Sequence, residues 1–458
     1  VRVTLIGHAS LLFETSEATV LIDPVLVDPF EGGAVSSWPE RVVDVAALPR
    51  PDVVVVSHRH PDHFDIASLA LLPRDATALI PRDPLLAHAL EQLGFARIQV
   101  LEPLRALSSF DLQILATPST EPVIEVGVLL ADSSGAVFDQ VDSAPSAATV
   151  AALRTRFALA AHVARYASQN FEFFESRHTS FPCAEHARNL ETAAALAAGL
   201  VIPGSAGFRF VGVHAWLNRF LFPVSRRVFL DDLARIAPDL RGASLDPGDV
   251  LEIEAGAARV ARGASPFVRT VRSGDDELRF DPTAPVPPLV DPNPDGRSSA
   301  ELGAAAGAIV ARAARWALAE ERPLSVPWRY RRAGAAYGVE VVLPDGDAAR
   351  FVIDLGTSPR FHDLGRAGFA PEPTLVHVIA ASALVDWAER RRDFFWVRGS
   401  SRRFSTARRL AGDAAGVSVT ALELPDLLMH WLVAESEGAE DAARRRIDRQ
   451  IADVRRRG

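Results

Sequence analysis

Along the first half of the chain, apolar residues arrive in short runs broken by Gly, Pro and acidic positions. Val1–Ile6 alternates weakly and stops at Gly7-His8-Ala9-Ser10; Leu11–Thr15 and Thr19–Ile22 follow, the latter running into Asp23-Pro24. This spacing predicts three short strands. The unbroken run Val53–Val56 predicts a buried strand. Helical and strand patterns then alternate. Helices are expected over Ile66–Leu72, Pro84–Leu93 (closed by Gly94), Ser146–Arg156 and Ala184–Ala198, and strands over Thr77–Ile80, Ile98–Leu101, Leu112–Ala116, Val126–Leu130, Ala136–Asp139 and Leu200–Ile202. The rhythm is that of an α/β domain whose sheets are covered by helices. Phe30–Trp38, with its Gly and Ser, reads as a mobile flap over a site.

Asp281–Ser299 is crowded with proline, which removes backbone donors and favours extended chain, so it is read as a linker. The chain thus divides into 1–280, in which Leu217–Arg279 is an appendage of the first domain, the linker 281–299, and an α+β domain over 300–458. In that last part Glu301–Glu320 predicts a long Ala-rich helix. Val326–Arg331, Val339–Leu343, Arg350–Leu355 and Phe394–Val397 read as strands, and Pro344–Asp347 as a hairpin turn. Helices are expected over Ala383–Arg391 (capped by Ser382), Asp426–Ala434 and Glu440–Arg457. The charge spread over the last predicts a solvated or partner-facing surface helix.

Composition narrows the class. At 458 residues, 48% hydrophobic and 23% charged, this is an ordinary globular chain of two or three domains. A net charge of -9 argues against a nucleic-acid partner. All the positive charge is Arg, since the sequence contains no Lys. The single cysteine, Cys183, excludes a disulfide framework or a cysteine-ligated cluster within these residues and makes the cytoplasm the default location. No apolar run reaches the roughly 18 residues that predict a membrane span, and Val1–Leu5 reads as a strand, not as a signal peptide.

The chemistry concentrates in Ser57-His58-Arg59-His60-Pro61-Asp62-His63-Phe64-Asp65, directly after the buried strand. Imidazole and carboxylate packed this closely at a rigid strand end are ligands for Zn or Fe, with Mn a third choice. His58, His60, Asp62 and His63 can feed two divalent ions, and each ion needs more. Asp142, just past a strand, is the candidate bridge. Glu121, in a loop with two prolines, is the candidate carboxylate ligand, with Glu125 its rival. For the last ligand the choices are His162, His178, His186 and His214; His214 is preferred as the nearest to a predicted strand end. His8 is expected to line the pocket, and Asp23 to fix the tautomer of a ligand imidazole.

His58-x-His60-x-Asp62-His63, preceded by Gly7-His8-Ala9-Ser10 and Leu21-Ile22-Asp23-Pro24, resembles the metallo-β-lactamase superfamily. The resemblance covers about the first half and implies an αββα sandwich with a dinuclear site at one edge. By that pattern His58 and His60 bind one metal, Asp62 and His63 the other, and Asp142 bridges. The chain departs from the pattern in carrying Glu121 where the family has a His, and Gly204-Ser205 where another His is usual. The opening motifs look most like the branch of the CMP-N-acetylneuraminate hydroxylases, whose Rieske domain needs Cys and His pairs that are missing here. A Glu at the third His position is also similar to the diiron β-hydroxylase of chloramphenicol biosynthesis. The second half is faintly similar to sterol-carrier-like domains.

Hydrolysis of an ester, amide or phosphoester in a small molecule is the leading expectation: two cations acidify a water that Asp62 orients, and His8 helps stabilise the oxyanion. An O2-dependent diiron oxygenase is the alternative, resting on Glu121. A non-catalytic metal-bearing scaffold is the third. The aromatic stretch Phe171, Phe173, Phe174 and Phe181 admits a hydrophobic substrate, and core packing explains it equally well.

Overall fold

The valine run at 53–56 sits between two cores. Val53 and Val55 face a core shared with Val3, Phe13, Val20, Ile114, Val128 and Val163. Val54 and Val56 face the opposite way, among Ile66, Leu69, Leu86 and Leu90 of flanking helices. A strand covered on both sides has no polar face to alternate with, which is why the run is unbroken.

The computed structural model describes residues 1–170, 181–274, 278–392, 394–405, 424–436 and 440–457. In it, an eight-stranded sheet runs in the order Ala257–Ala261, Val250–Glu254, Arg2–Gly7, Ser10–Glu14, Thr19–Ile22, Val53–Val55, Thr77–Ile80, Arg97–Val100. A six-stranded sheet runs Val201–Gly204, Leu159–Arg165, Gly135–Asp139, Val126–Asp132, Leu112–Pro118, Ala106–Ser109. Ile66–Leu69 and Pro84–Leu93 cover the outside of the first sheet. Ala147–Arg156, Cys183–Leu196 and Arg226–Ile236 cover the second through Leu153, Leu190, Ala193 and Phe229. This is the expected αββα sandwich. Parallel pairing of Thr19–Ile22 with Val53–Val55, and of Gly135–Asp139 with Leu159–Arg165 and Val201–Gly204, brings the ends of these strands out together. The Leu217–Arg279 region adds two strands to the edge of the first sheet, and Val268–Arg272 pairs with Glu40–Val43.

The second half holds a five-stranded sheet ordered Arg360–Gly365, Ala348–Asp354, Ala336–Val342, Leu375–Ala380, Ser401–Ser405. The helix Ser299–Ala319 buries Leu302, Ala306, Ile309, Val310, Ala313 and Ala317 in its core. By length and composition alone this 21-residue helix is long and apolar enough to cross a membrane, which a search for uninterrupted apolar runs does not catch. Asp426 anchors this core: it accepts from Tyr337 Oη at 2.8 Å and His377 Nδ1 at 2.5 Å, and from the Met429 amide at 2.8 Å.

Five local expectations fail, each because packing overrides pattern; in one, the helix runs Ala381–Ala388 with Ser382 inside it, its Oγ donating to the buried Asp291, so Ser382 is not the cap. Val326–Arg332 is a helix, begun by the Ser325 cap with Pro327 in its first turn. Phe394–Gly399 is also helical, with the strand Ser401–Ser405 after it. Phe30–Trp38 is no free flap: Val35–Ser37 pairs with Phe208–Phe210, and Phe30, Ala34 and Val35 are buried against Phe395 and Trp396. The helix Glu440–Arg457, charged on most faces, nonetheless lays Ala443, Ile447 and Ile451, spaced one turn apart, on the first domain. His88 Nε2 donates to Asp448 at 2.7 Å and Arg455 to the Gln92 carbonyl at 2.5 Å, holding that helix beside Pro84–Leu93.

The two halves meet at a tight seam. His214 Nε2 lies 3.1 Å from both the Trp396 carbonyl and Ser400 Oγ, and a Cβ built on Gly399 would lie 1.9 Å from the His214 ring. Gly399→Ala is therefore expected to cost about 1–3 kcal/mol by overpacking. The thermal midpoint should fall, and adding His214→Ala should recover part of the loss in a double-mutant cycle; additive effects would refute the contact. Burial pushes the His214 imidazole down to about 4 from its usual 6.5. The unfolded chain then takes up the proton first, so the stability from the neutral ring is full above pH 6.5 and is lost as the pH falls towards 4. His214→Gln should flatten that part of a stability–pH curve measured by denaturant titration.

Candidate metal centre

The site begins with strand ends. Gly7 carries φ 143°, and a Cβ there would lie 2.6 Å from Arg41 Nη1, so only glycine lets the chain turn to place His8. Asp23 follows Thr19–Ile22 with its amide on the Val55 carbonyl at 2.9 Å, which puts it beside Ser57. Beyond Ser57 the chain folds back on itself: the amides of His63 and Phe64 both donate to the His60 carbonyl, at 2.9 and 2.8 Å. Asp65 then caps the helix Ile66–Leu69 by accepting from the Ser68 amide at 2.8 Å. The turn brings alternate side chains to one point.

Asp23, wholly buried, organises the imidazoles. It accepts from the Ser57 amide at 2.7 Å, Ser57 Oγ at 2.5 Å and His63 Nδ1 at 2.8 Å. With the Ser57 proton committed to Asp23, Ser57 Oγ accepts from His58 Nδ1 at 2.9 Å. Both rings are thereby fixed with Nδ1 protonated and Nε2 presenting a lone pair. His58 Nε2 faces His60 Nδ1 at 2.9 Å, an approach that a shared proton or cation must fill. His63 Nε2, buried and without a hydrogen-bond partner among the described residues, lies 3.4 Å from Asp142 Oδ2 and 3.7 Å from Asp62 Oδ2. His8 Nε2 lies 3.2 Å from Asp62 Oδ2.

Among the described residues, three overlapping groups can each hold an ion, their donor atoms all within 4.8 Å of one another: His58, His60 and Asp142; His8, Asp62 and His63; and Asp23, His58 and His63. The first two describe adjacent metal positions with Asp142 against His58 and His63, while Asp23 is already spent on hydrogen bonds. The electrostatics ask for a cation here. Burial alone would lower the His63 imidazole, but Asp142 and Asp62 hold it well above its ordinary value. Burial would raise Asp62 and Asp142, yet His63 and its neighbours hold both well below the usual carboxylate range. Burial, then His63, pushes His58 well down, leaving it a neutral ligand. A proton on His63 does the work that a metal would do better. The residues present fit two divalent ions.

The structure separates the expected site residues. His8, His58, His60, Asp62, His63 and Asp142 converge. Glu121 does not: it is exposed and pairs with Arg165 Nη1 at 3.3 Å. The rival Glu125 is the buried carboxylate of that loop, raised by burial, held by Ser119 Oγ at 2.6 Å, and within the field of Asp142 and His60. His214 is at the seam, committed to Trp396 and Ser400, and is no ligand. His162 lies on the strand Leu159–Arg165, not a helix, with Nε2 on Gln140 Oε1 at 3.0 Å. His186 pairs with Asp232 at 3.0 Å. His178 and Phe171, Phe173 and Phe174 lie outside the described residues. Where a further His was looked for, Ser205 Oγ donates to the Val141 carbonyl at 2.6 Å and so shapes the approach to Asp142.

Three residues escaped sequence reasoning. Ser57 sets the His58 tautomer. Arg165 donates to the Asp142 carbonyl at 2.8 Å and to Glu185 Oε1 at 2.7 Å, fixing the loop that carries the bridge. Asp139, behind Asp23, is pushed up to about 8 by burial and by the Asp23 charge, so it carries a proton at neutral pH. Each follows or ends an apolar strand, which was the available signal.

Residues 2–127 match the sequence model of the family described as the beta-lactamase superfamily domain. A Mycobacterium tuberculosis protein provisionally named a Rieske 2Fe-2S iron-sulfur protein is 33% identical over 156 residues, 31% of this chain and 30% of that protein. The 4-amino-L-phenylalanyl-[CmlP-peptidyl-carrier-protein] 3-hydroxylase of Streptomyces venezuelae is 31% identical over 124 residues, 25% of this chain and 22% of that protein. A UPF0173 metal-dependent hydrolase of Exiguobacterium sp. is 34% identical over 95 residues, 21% of this chain and 37% of that protein. The chain thus spans about a third or less of the first curated relatives it matches. Among solved structures, CmlA, a diiron beta-hydroxylase from Streptomyces venezuelae, aligns with TM-score 0.40 and 17% identity over 57% of this chain and 54% of that one. The isothiocyanate hydrolase from Delia radicum gut bacteria aligns with TM-score 0.40 and 17% identity over 56% of this chain and 100% of that one. The family match over residues 2–127, the His58-to-His63 turn and the αββα layering give the N-terminal domain the metallo-β-lactamase fold.

Proposed function

We propose that the chain is an O2-dependent dinuclear iron oxygenase that hydroxylates a small molecule. The observation that carries this reading is Glu125, a buried carboxylate held by Ser119 Oγ at 2.6 Å, in the same loop where the family resemblance sets an imidazole at position 121. Replacing imidazole with carboxylate makes the donor set harder and more anionic, which favours iron and its higher oxidation states. The similarity over part of the chain to a named 3-hydroxylase supports the same direction. Two bound irons would supply O2 activation, so that R–H, O2, two electrons and two protons yield R–OH and water. His58, His60 and Glu125 would hold one ion and His8, Asp62 and His63 the other, with Asp142 between them. Asp23 and Ser57 keep the His63 and His58 lone pairs aimed inward. Arg165 pins the Asp142 backbone while its charge offsets the surplus carboxylates. With one cysteine the chain cannot build a four-cysteine iron–sulfur cluster, and the proposed reaction takes its two electrons from an external reductant.

Hydrolysis is the second reading, favoured by the convergence of Asp62 and His8 at 3.2 Å and by the partial similarity to a named hydrolase. In it Asp62 orients the attacking water and His8 donates to the developing oxyanion.

Metal analysis of protein purified without added metal separates the two. Two irons per chain, with a visible absorption that changes on adding peroxide or O2, are expected; stoichiometric zinc with the absorption absent would overturn the oxidative reading. His60→Ala and Asp142→Ala should each lose metal. Glu125→Ala should lower metal content by about one ion, whereas Glu121→Ala and His214→Ala should retain both; the reverse pattern, read by plasma emission spectrometry, would return the ligand role to Glu121 or His214.

A further inference from the structure

Behind the metal-bearing turn lies a second cavity of ≈ 750 Å3, walled by the 27–33 segment, the 59–67 turn, the 391–392 corner of the C-terminal domain and the helix Glu440–Arg457. None of the residues that converge on the metal centre lines it. Six arginines do: Arg59, Arg391, Arg392, Arg446, Arg449 and Arg456. Four carboxylates line it with them, Glu31, Asp65, Asp295 and Asp453, and just outside it Glu389 pairs with Arg391 at 2.7 Å and Asp386 with Arg392 at 3.4 Å.

Several of the acids are already committed. Asp65 caps a helix, Asp295 pairs with Arg391 at 3.0 Å and Arg392 at 3.5 Å, and Asp453 pairs with Arg456. Arg59 reaches only the buried Asp83, at 3.5 Å, and its side chain is 42% exposed. Arg449 donates to a neutral carbonyl, that of Glu389, at 2.9 Å. An adjoining cavity shares Arg449 and Arg456 and adds Arg390 and Arg445. Guanidinium forks converging from three parts of the chain suit the oxygens of a multiply charged phosphate.

We infer that this cavity is a binding site for a small molecule bearing a diphosphate or triphosphate group, distinct from the metal centre. The site does not rest on the choice between oxidation and hydrolysis.

The test uses the full, metal-loaded chain and inorganic pyrophosphate as probe, with binding followed by isothermal titration and by thermal shift in a fixed excess of the metal. Saturable binding is expected, weakened at least tenfold in Arg59→Gln/Arg449→Gln and unchanged in His60→Ala, whose metal centre is broken. Should the double variant fold poorly, Arg59→Gln alone, at an exposed position, is expected to weaken binding severalfold. Loss of binding in His60→Ala with retention in the arginine variants would assign the phosphate to the metal centre and overturn the proposal. Absence of saturation at millimolar pyrophosphate, or equal displacement by chloride, would overturn it as well.

Discussion

The Asp23 carboxylate is the constraint on which the metal centre depends. A buried anion with no partners would cost several kcal/mol, and here three donors satisfy it. Those donors come from the adjacent parallel strand and the turn beyond it, so satisfying Asp23 also aligns the two strand ends and aims two imidazoles. The positive φ of 42° at Asp23 and of 51° at His8 are tolerated because the same hydrogen bonds and packing over-determine them. Asp139, carrying its proton, can lie behind Asp23 without doubling the buried charge.

What was legible in the sequence was local. His58, His60, Asp62 and His63 lie within one turn, and no tertiary information is needed to see that they converge. The strands of the sandwich were legible because a twice-covered strand leaves an apolar run. The choice between Glu121 and Glu125 was not legible: both lie in one proline-bounded loop, and only the fold shows that Arg165 draws one outward while Ser119 holds the other in. His214 misled for a related reason. Nearness to a predicted strand end in sequence does not make a residue near the site in space, and the chain there turns to meet Trp396.

The second half shows the opposite bias. Aromatic and β-branched residues at Val326–Arg332 and Phe394–Gly399 suggested strands because their apolar character is real, but it serves packing between helices and at the domain seam. In Glu440–Arg457 the charges conceal a narrow stripe of Ala443, Ile447 and Ile451, too thin to dominate the average and wide enough to bury.

That helix also bears on the order in which the molecule can be built. The surface of Pro84–Leu93 that it covers belongs to a sandwich whose last strand ends at residue 261. During synthesis that sandwich can close long before its outer layer is complete, leaving Pro84–Leu93 less shielded until residues 440–457 leave the ribosome. The two halves are consecutive in sequence yet interlocked as they mature, and deleting the second half would remove part of the first domain's own coat.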